Sequence, residues 1–487
     1  MSNPAVVVPP RPAQPLLDSV FGSVWPEDSL PARPRLVLAA LAAGLLAAVV
    51  VPFRDPGLGS FLVLMTVCGV VAAADRRLRS TYHLASAVLC TLLLSSLFLR
   101  DAQWVVTLCL LAGFAVGSVV LAEGRSVPGV VAAGAAVPLA ALRGLPWLGR
   151  SLTVSDRSRA WLPLVRTVAV SVLLVVVFGA LFASADALFA RWVGALVPDL
   201  TVGSLVLRAF VLAAFGGLAL AGTYVALNPP QVERLALPPA APVARRFEWL
   251  VPVSLVVLVF TVFVVAQLTA MFGGHSYVRR TTGLTYADYV HQGFAQLTVV
   301  TLLTLAVVAT AVRKAPRGTA SDRLLLRVAL GVLCGLTLLV VASALYRLHV
   351  YEQAYGFTRL RLLSSFFEGW LGLVVVLVLG AGVRLRGAWV PRAVVLTGAA
   401  ALLAMAALNP DAYIAQRNVD RYQQTGKADW GYLSGLSADA VPVLSGLPSD
   451  VPLCVSAPST GDWLEWNLGR SRAAHLMRVP PRPGCPQ

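Results

Sequence analysis

The chain has 487 residues, of which 57% are hydrophobic and 13% charged, whereas globular proteins carry about a quarter charged residues. Its 39 basic and 23 acidic groups give a net charge of +16, and 37 of the basic groups are Arg. This composition excludes a disordered chain, a soluble enzyme with one large core and a disulfide-dense secreted module; a polytopic membrane protein remains. The positive excess sits in residues 1–408, with 32 basic and 16 acidic groups, while residues 409–487 hold seven of each. No clustered basic face with groove-reading or aromatic elements is visible, so nucleic acid is not an expected partner.

Residues 1–35 are polar and Pro-rich and read as a disordered cytoplasmic tail with no cleavable signal peptide. A bilayer core takes about 20 mostly apolar helical residues. Stretches that qualify are 36–52, 58–74, 82–99, 104–121, 162–182, 202–227, 250–271, 291–312, 328–348, 366–383 and 389–408. The hydrocarbon core offers no hydrogen-bond partners, so each must be a helix. The expected fold is therefore all-α, a transmembrane bundle over 36–408. Segment 127–142 is apolar but short and contains Pro128 and Pro138. It reads as re-entrant or interfacial, because a crossing there would put Arg143, Arg150, Arg157 and Arg159 on the wrong side; the alternative is a twelfth span.

Arginine sorts between alternate loops. One set holds Arg33, Arg35, Arg76, Arg77, Arg79, Arg245, Arg246, Arg313, Arg317, Arg323, Arg327, Arg384 and Arg386. The other holds Arg54, Arg100, Arg191, Arg279 and Arg280, often next to an acid. The first set marks the cytoplasmic side. This orients the chain in a bacterial inner membrane with its N-terminus inside and its C-terminus outside. Residues 409–487 then form an extracytoplasmic cap, with helix-like spacing at 411–424 and 430–444 and with Trp463 and Trp466 as interface anchors. Cys68, Cys90, Cys109 and Cys334 lie singly inside spans, whereas Cys454 and Cys485 lie in the tail, where an oxidising compartment favours a disulfide between them.

Polar residues gather at the outer ends of helices. Thr285 and Asp288 form a capping-box-like start, and Asp288, Gln292 and Gln296 recur every four residues as a polar stripe. The stripe lines an outward cavity or bonds to neighbouring helices. Arg347, Tyr351 and Tyr355 share a helical face; Glu352, Arg359 and Arg361 follow, and Glu368 opens the next span. Arg359 and Arg361 suit forked binding of a carboxylate or phosphate, or internal salt bridges to Glu352 and Glu368. Arg208, inside a span, must snorkel or meet an acid such as Asp186 or Asp199. In the tail, Asp411, Arg417, Asn418, Asp420 and Arg421 read as a solvated helix face.

Thr285 to Phe294 (TYADYVHQGF), Tyr346 to Arg361 (YRLHVYEQAYGFTRLR), Asn409 to Asn418 (NPDAYIAQRN) and Leu436 to Pro442 (LSADAVP) resemble bacterial multi-spanning proteins filed as domain of unknown function four-one-seven-three, related to four-one-five-three. The resemblance covers roughly residues 150–445. It implies the architecture and no mechanism, because that family has no established activity.

No Walker loop, HExxH, GxSxG or Rossmann fingerprint is present, and the five His residues lack metal-ligand spacing. No cofactor, metal site or catalytic residue is expected. Three readings follow. The first is an envelope sensing or scaffold protein whose outward polar vestibule binds a small or lipidic ligand or a membrane-protein partner, with membrane lipids around it. The second is a secondary transporter or channel, which would need a charged residue at membrane depth. The third is a lipid-linked transferase using Asp288, Glu352 or Asp411.

Overall fold

A computed structural model describes residues 21–26, 30–31, 33–75, 77, 80–153, 202–238, 240–282, 294–448, 451 and 461–476. Among these residues every regular element is helical. In chain order they are α1 (Pro34–Val50), α2 (Leu58–Ala74), α3 (Thr81–Leu94, continued by the turn Ser96–Leu99), α4 (Gln103–Leu121), α5 (Val127–Arg143), α6 (Leu145–Thr153), α7 (Val202–Leu227), α8 (Phe247–Thr282), α9 (Phe294–Lys314), α10 (Ala320–Tyr355), α11 (Arg359–Arg384) and α12 (Val390–Ala407). The tail adds α13 (Pro410–Thr425), α14 (Trp430–Ser434), α15 (Val441–Leu444) and α16 (Leu468–Leu476).

Among the described residues, eight helices are long and apolar enough to cross a membrane, and a ninth if the bent pair α5 and α6 counts as one span. The apolar helices α1 and α2 are shorter, at 17 residues each. The chain is thus a multi-pass helical membrane protein. Ten of the eleven expected spans coincide with helices; 162–182 lies outside the described residues.

Helix ends follow local chemistry. Ser80, Ser126 and Thr358 accept backbone N–H groups at the starts of α3, α5 and α11, and Thr319 with Asp322 forms a full capping box at α10. Small residues set the packing of α1 on α7. Ala40, Ala43 and Ala47 are buried, and a Cβ on Gly44 would lie 2.7 Å from the Leu212 carbonyl oxygen. Such close approach of backbones is how membrane helices associate without a hydrophobic driving force.

The contacts divide the loops into two ends, as the Arg pattern divides them. At one end Arg77 meets Glu123 and the Ala226 carbonyl, Arg392 donates to the Glu123 and Gly124 carbonyls, and Val243 donates to the Lys314 carbonyl. This arginine-rich end also receives the N-terminal segment. Trp25 lies within the stretch expected to be disordered, yet it is buried and donates to the Asn228 carbonyl. The other end carries residues 53–57, 100–102 and the folded tail.

Helix α5 lies across the arginine-rich end. Its start meets Glu233, which accepts from the Arg125 and Ser126 amides. Its finish meets Trp25, through Arg143, and Tyr224, beside Gly144. Both ends of a helix about 25 Å long thus touch one end of the bundle. The α5–α6 pair then bends by 48°. Such a bend fits a broken span or a re-entrant segment.

Candidate functional site beneath the tail

Helix α10 has 36 residues, a length of about 54 Å, against a hydrocarbon core of about 30 Å. Its last turns therefore project past the bundle and carry Arg347 to Tyr355 toward the tail. Gly356 (φ 85°) ends the helix in a conformation that L side chains rarely adopt, and Asn418 of α13 clamps the turn through the Phe357 amide (3.1 Å) and carbonyl (2.9 Å).

Asp411 is fully buried at the start of α13. Its Oδ1 accepts from Arg359 Nε (3.0 Å) and Trp104 Nε1 (3.0 Å), and its Oδ2 accepts from Arg359 Nη2 (2.6 Å) and the Ser437 amide (2.9 Å). Burial pushes this carboxyl upward, but the forked Arg359 pair and the two further donors outweigh it and hold Asp411 below the usual carboxylate range. The Arg359 amide also donates to the Tyr432 hydroxyl (2.7 Å), and its guanidinium to the Gly435 carbonyl (3.2 Å). Arg359 thus joins α11 to three parts of the tail, two through its guanidinium and one through its amide.

A second junction lies at the start of α4, where Ala102 provides no side-chain cap. Asp439 of the tail supplies one: its Oδ2 accepts from the Asp101 (2.7 Å) and Ala102 (3.0 Å) amides. Asp101 returns the contact by accepting from the Ala438 amide (3.0 Å) and from Arg470 (3.0 Å). Burial dominates at Asp439 and raises its carboxyl above the usual range despite the amides. A third junction joins Arg54 to Asp462 (2.9 Å) and the Leu58 amide to the Trp466 carbonyl (3.0 Å). Asn467 donates to the Leu97 and Arg100 carbonyls and caps α16 with its Oδ1.

Below these junctions a polar seam runs between α8, α9, α10 and α11. Gln267 accepts from Ser343 (3.3 Å) and from Arg347. Glu352 accepts from Ser365 (3.4 Å). Glu368, 0% exposed, accepts from Thr298 at Oε2 (3.0 Å), and its Oε1 has no hydrogen-bond partner among the described residues.

The expected site residues separate accordingly. Arg347, Tyr351, Glu352, Arg359 and Arg361 gather under the tail. Arg359 bonds with Asp411 rather than with Glu352 or Glu368, which corrects the expected salt bridges: the α13 carboxylate fits its fork and brings two further donors. Arg361 lies over the Tyr351 ring at 4.4 Å and donates to the Gly356 carbonyl. Gln296 is exposed and does not line the seam. Asp288, Gln292, Cys454 and Cys485 lie outside the described residues, as do Asp186 and Asp199. Arg208 donates to the Ala48 carbonyl (2.8 Å) and lies over Phe53.

The α13 face expected to be solvated is corrected as well: Asp411 and Asn418 are buried. The expected helix over 430–444 is broken into α14, a short turn at 438–440 and α15, as Asp439 turns back to cap α4. Asp411 is also withdrawn from the transferase reading, since both of its oxygens are saturated by the chain itself. Among the described residues no group of three His, Cys, Asp or Glu could hold a metal ion.

The fold and the tail-covered seam define a multi-pass helical membrane protein with a docked polar cap. The chain belongs to the family described as Domain of unknown function (DUF4153), whose model matches residues 87–447. The match begins well before residue 150 and takes in α3, α4 and the tail to α15, so both the junctions at Asp411 and Asp439 fall within it. It replaces the neighbouring family number as the assignment. No curated protein and no solved structure matches the chain.

Proposed function

We propose that the protein is a binding protein of the bacterial cytoplasmic membrane, with its N-terminus inside and its tail outside. In this reading it holds a small or lipidic ligand, or a membrane-protein partner, at the polar seam, in the service of envelope sensing or scaffolding. Glu368 carries the reading. A fully buried carboxylate oxygen without a partner among the described residues is costly, and buried polar atoms in native proteins are nearly always satisfied. An occupant that donates to Oε1 removes the cost. The saturated Asp411 and the absence of nucleophile motifs favour binding over catalysis. Arg sorting between the two ends supports the orientation, and the oxidising outer side would in turn favour a Cys454–Cys485 bridge.

The test compares wild type with Glu368→Gln, both full length in neutral detergent, by native mass spectrometry. Wild type is expected to carry a non-covalent adduct of defined mass. Loss of a hydrogen bond to a charged group, roughly 1.5–3 kcal/mol, lowers its retention at least tenfold in the variant. Equal retention, or no adduct on wild type, refutes the reading. The same intramembrane acid supports a second reading, a secondary transporter or channel for a small solute. In that case Glu368→Gln stops solute flux in proteoliposomes.

A further inference from the structure

At the arginine-rich end, away from the polar seam, a cleft of about 660 Å³ opens between α5, α9, α10, α11 and α12. This lies within the roughly 300–1,000 Å³ typical of ligand pockets. Its wall is almost wholly aliphatic, with Val308, Leu330 and Val378 among the lining residues. Along α11 and its end it extends from Val374 to Leu385, about 16 Å at the helical rise. That is half of a bilayer core about 30 Å thick, the depth of a single leaflet. Gly331, Gly382 and Gly387 line it, and a Cβ on any of them would meet nothing within 4 Å. The cleft is therefore open where these residues stand. At its mouth Val127 and Val131 of α5, one turn apart, are 65% and 73% exposed.

Among the described residues the only charged groups lining the cleft are Arg317 and Arg327. Arg327 is exposed, and so are Arg384 and Arg386 on either side of Leu385. Among the described residues none of these four arginines has an acidic partner. The nearby Asp322 is taken by Arg246 (2.7 Å). A leaflet-deep apolar slot rimmed by uncompensated guanidinium groups matches one chemistry: a hydrocarbon chain that ends in an anionic phosphate. Guanidinium forks suit phosphate oxygens, and basic pockets between membrane helices take anionic headgroups. A general annulus of lipid would need neither the slot nor the rim.

We propose that this cleft is a binding site for an anionic phospholipid, with an acyl chain between α9, α10, α11 and α12 and the phosphate held by Arg317 and Arg327. Helix α5, lying across this end, closes the slot with its exposed valines. The site is separate from the seam, and neither proposal depends on the other.

The test uses full-length protein, stripped of lipid in neutral detergent, titrated with phosphatidylglycerol or with phosphatidylcholine of the same acyl chains and read by native mass spectrometry. Each arginine near a charged headgroup contributes about fivefold in affinity. Wild type is therefore expected to retain one phosphatidylglycerol about 25-fold more tightly than phosphatidylcholine. Arg317→Ala with Arg327→Ala removes that preference. Gly331→Leu with Gly382→Leu fills the slot, leaves the arginines in place and abolishes retention of both lipids. All four substitutions are at surface or open positions, so unchanged melting temperatures are the folding control. Equal retention of the two lipids by wild type overturns the proposal. So does a preference that survives loss of both arginines, or glycerol phosphate competing as well as the whole lipid.

Discussion

Replacing Asp411 with Ala is the most direct probe of the tail junction. The change leaves Trp104 Nε1 and the Ser437 amide without their acceptor, and leaves Arg359 holding only the Gly435 carbonyl among the contacts of its guanidinium. Removing one partner of a buried ion pair costs about 3–5 kcal/mol. The Arg359 side chain is 36% exposed, so water screens part of that loss, and about 3 kcal/mol remains. At about 1.4 kcal/mol per decade, the undocked population of the tail rises by about a hundredfold. Hydrogen exchange of peptides spanning 410–447 in detergent-solubilised protein reads this directly, with peptides of α7 as the internal reference. Asp411→Asn keeps the shape and loses the charge, and is expected to show a smaller increase. Acid acts in the same sense. The folded Asp411 carboxyl titrates below its unfolded value of about 3.9, so its stabilisation is complete above that value and is lost as pH falls through the folded pKa. Exchange in 410–447 that is unchanged in Asp411→Ala refutes the argument that this carboxylate holds the tail down.

Gly356→Ala is expected to lower the melting temperature and loosen the α10–α11 turn, because its φ of 85° is unfavourable for alanine and the new Cβ would sit 2.5 Å from Asn418 Oδ1; a melt indistinguishable from wild type contradicts this. Such strained positions cost of order 1–3 kcal/mol before the clash is counted. Asp439 has the opposite pH sense to Asp411. Its raised carboxyl makes protonation favourable to the fold, an advantage present below the unfolded pKa and lost as pH rises through the folded one, so Asp439→Asn is expected to flatten the pH dependence of α4 exchange above about pH 4. If the tail carries a Cys454–Cys485 bridge, reduction and alkylation add two labels that unreduced protein does not take up; identical labelling with and without reductant excludes it.

The helices were legible because the bilayer makes one demand, an apolar run of sufficient length, and eight helices among the described residues meet it in full. The division of the loops into two ends was legible too, because short connections between successive helices place alternate loops at opposite ends. The junctions were not. Asp411 lies 52 positions from Arg359, and Asp439 lies 337 positions from Ala102. Nothing in either local pattern announces its partner. On α13 the spacing of Gln416 and Asp420 does form an exposed pair at 2.8 Å, and it suggests a helix polar all round its outer face. The buried residues are instead Pro410, Asp411, Ile414, Ala415, Asn418 and Val419, so two polar side chains lie among four apolar ones. An amphipathic reading assigns polar residues to water, so it fails wherever a carboxylate is buried to complete another helix. Glu368 shows the same limit: its place at the start of a span suggested a salt bridge to Arg359 or Arg361, and only the packing of α9 reveals that it is enclosed and bonded to Thr298.

The folded tail reaches back to the loops after α1 and α3 through Arg54 and Asp101, and to the α10–α11 turn through Arg359. Translation delivers these tail residues only after every described bundle helix has been made, so the clasp can shut only over helices already threaded in order. A chain with one helix inverted presents Arg54, Asp101 or Arg359 on the wrong face and leaves Asp411 or Asp439 without its seat. Docking of the tail is thereby open only to a molecule in which the segments around Arg54, Asp101 and Arg359 share one face.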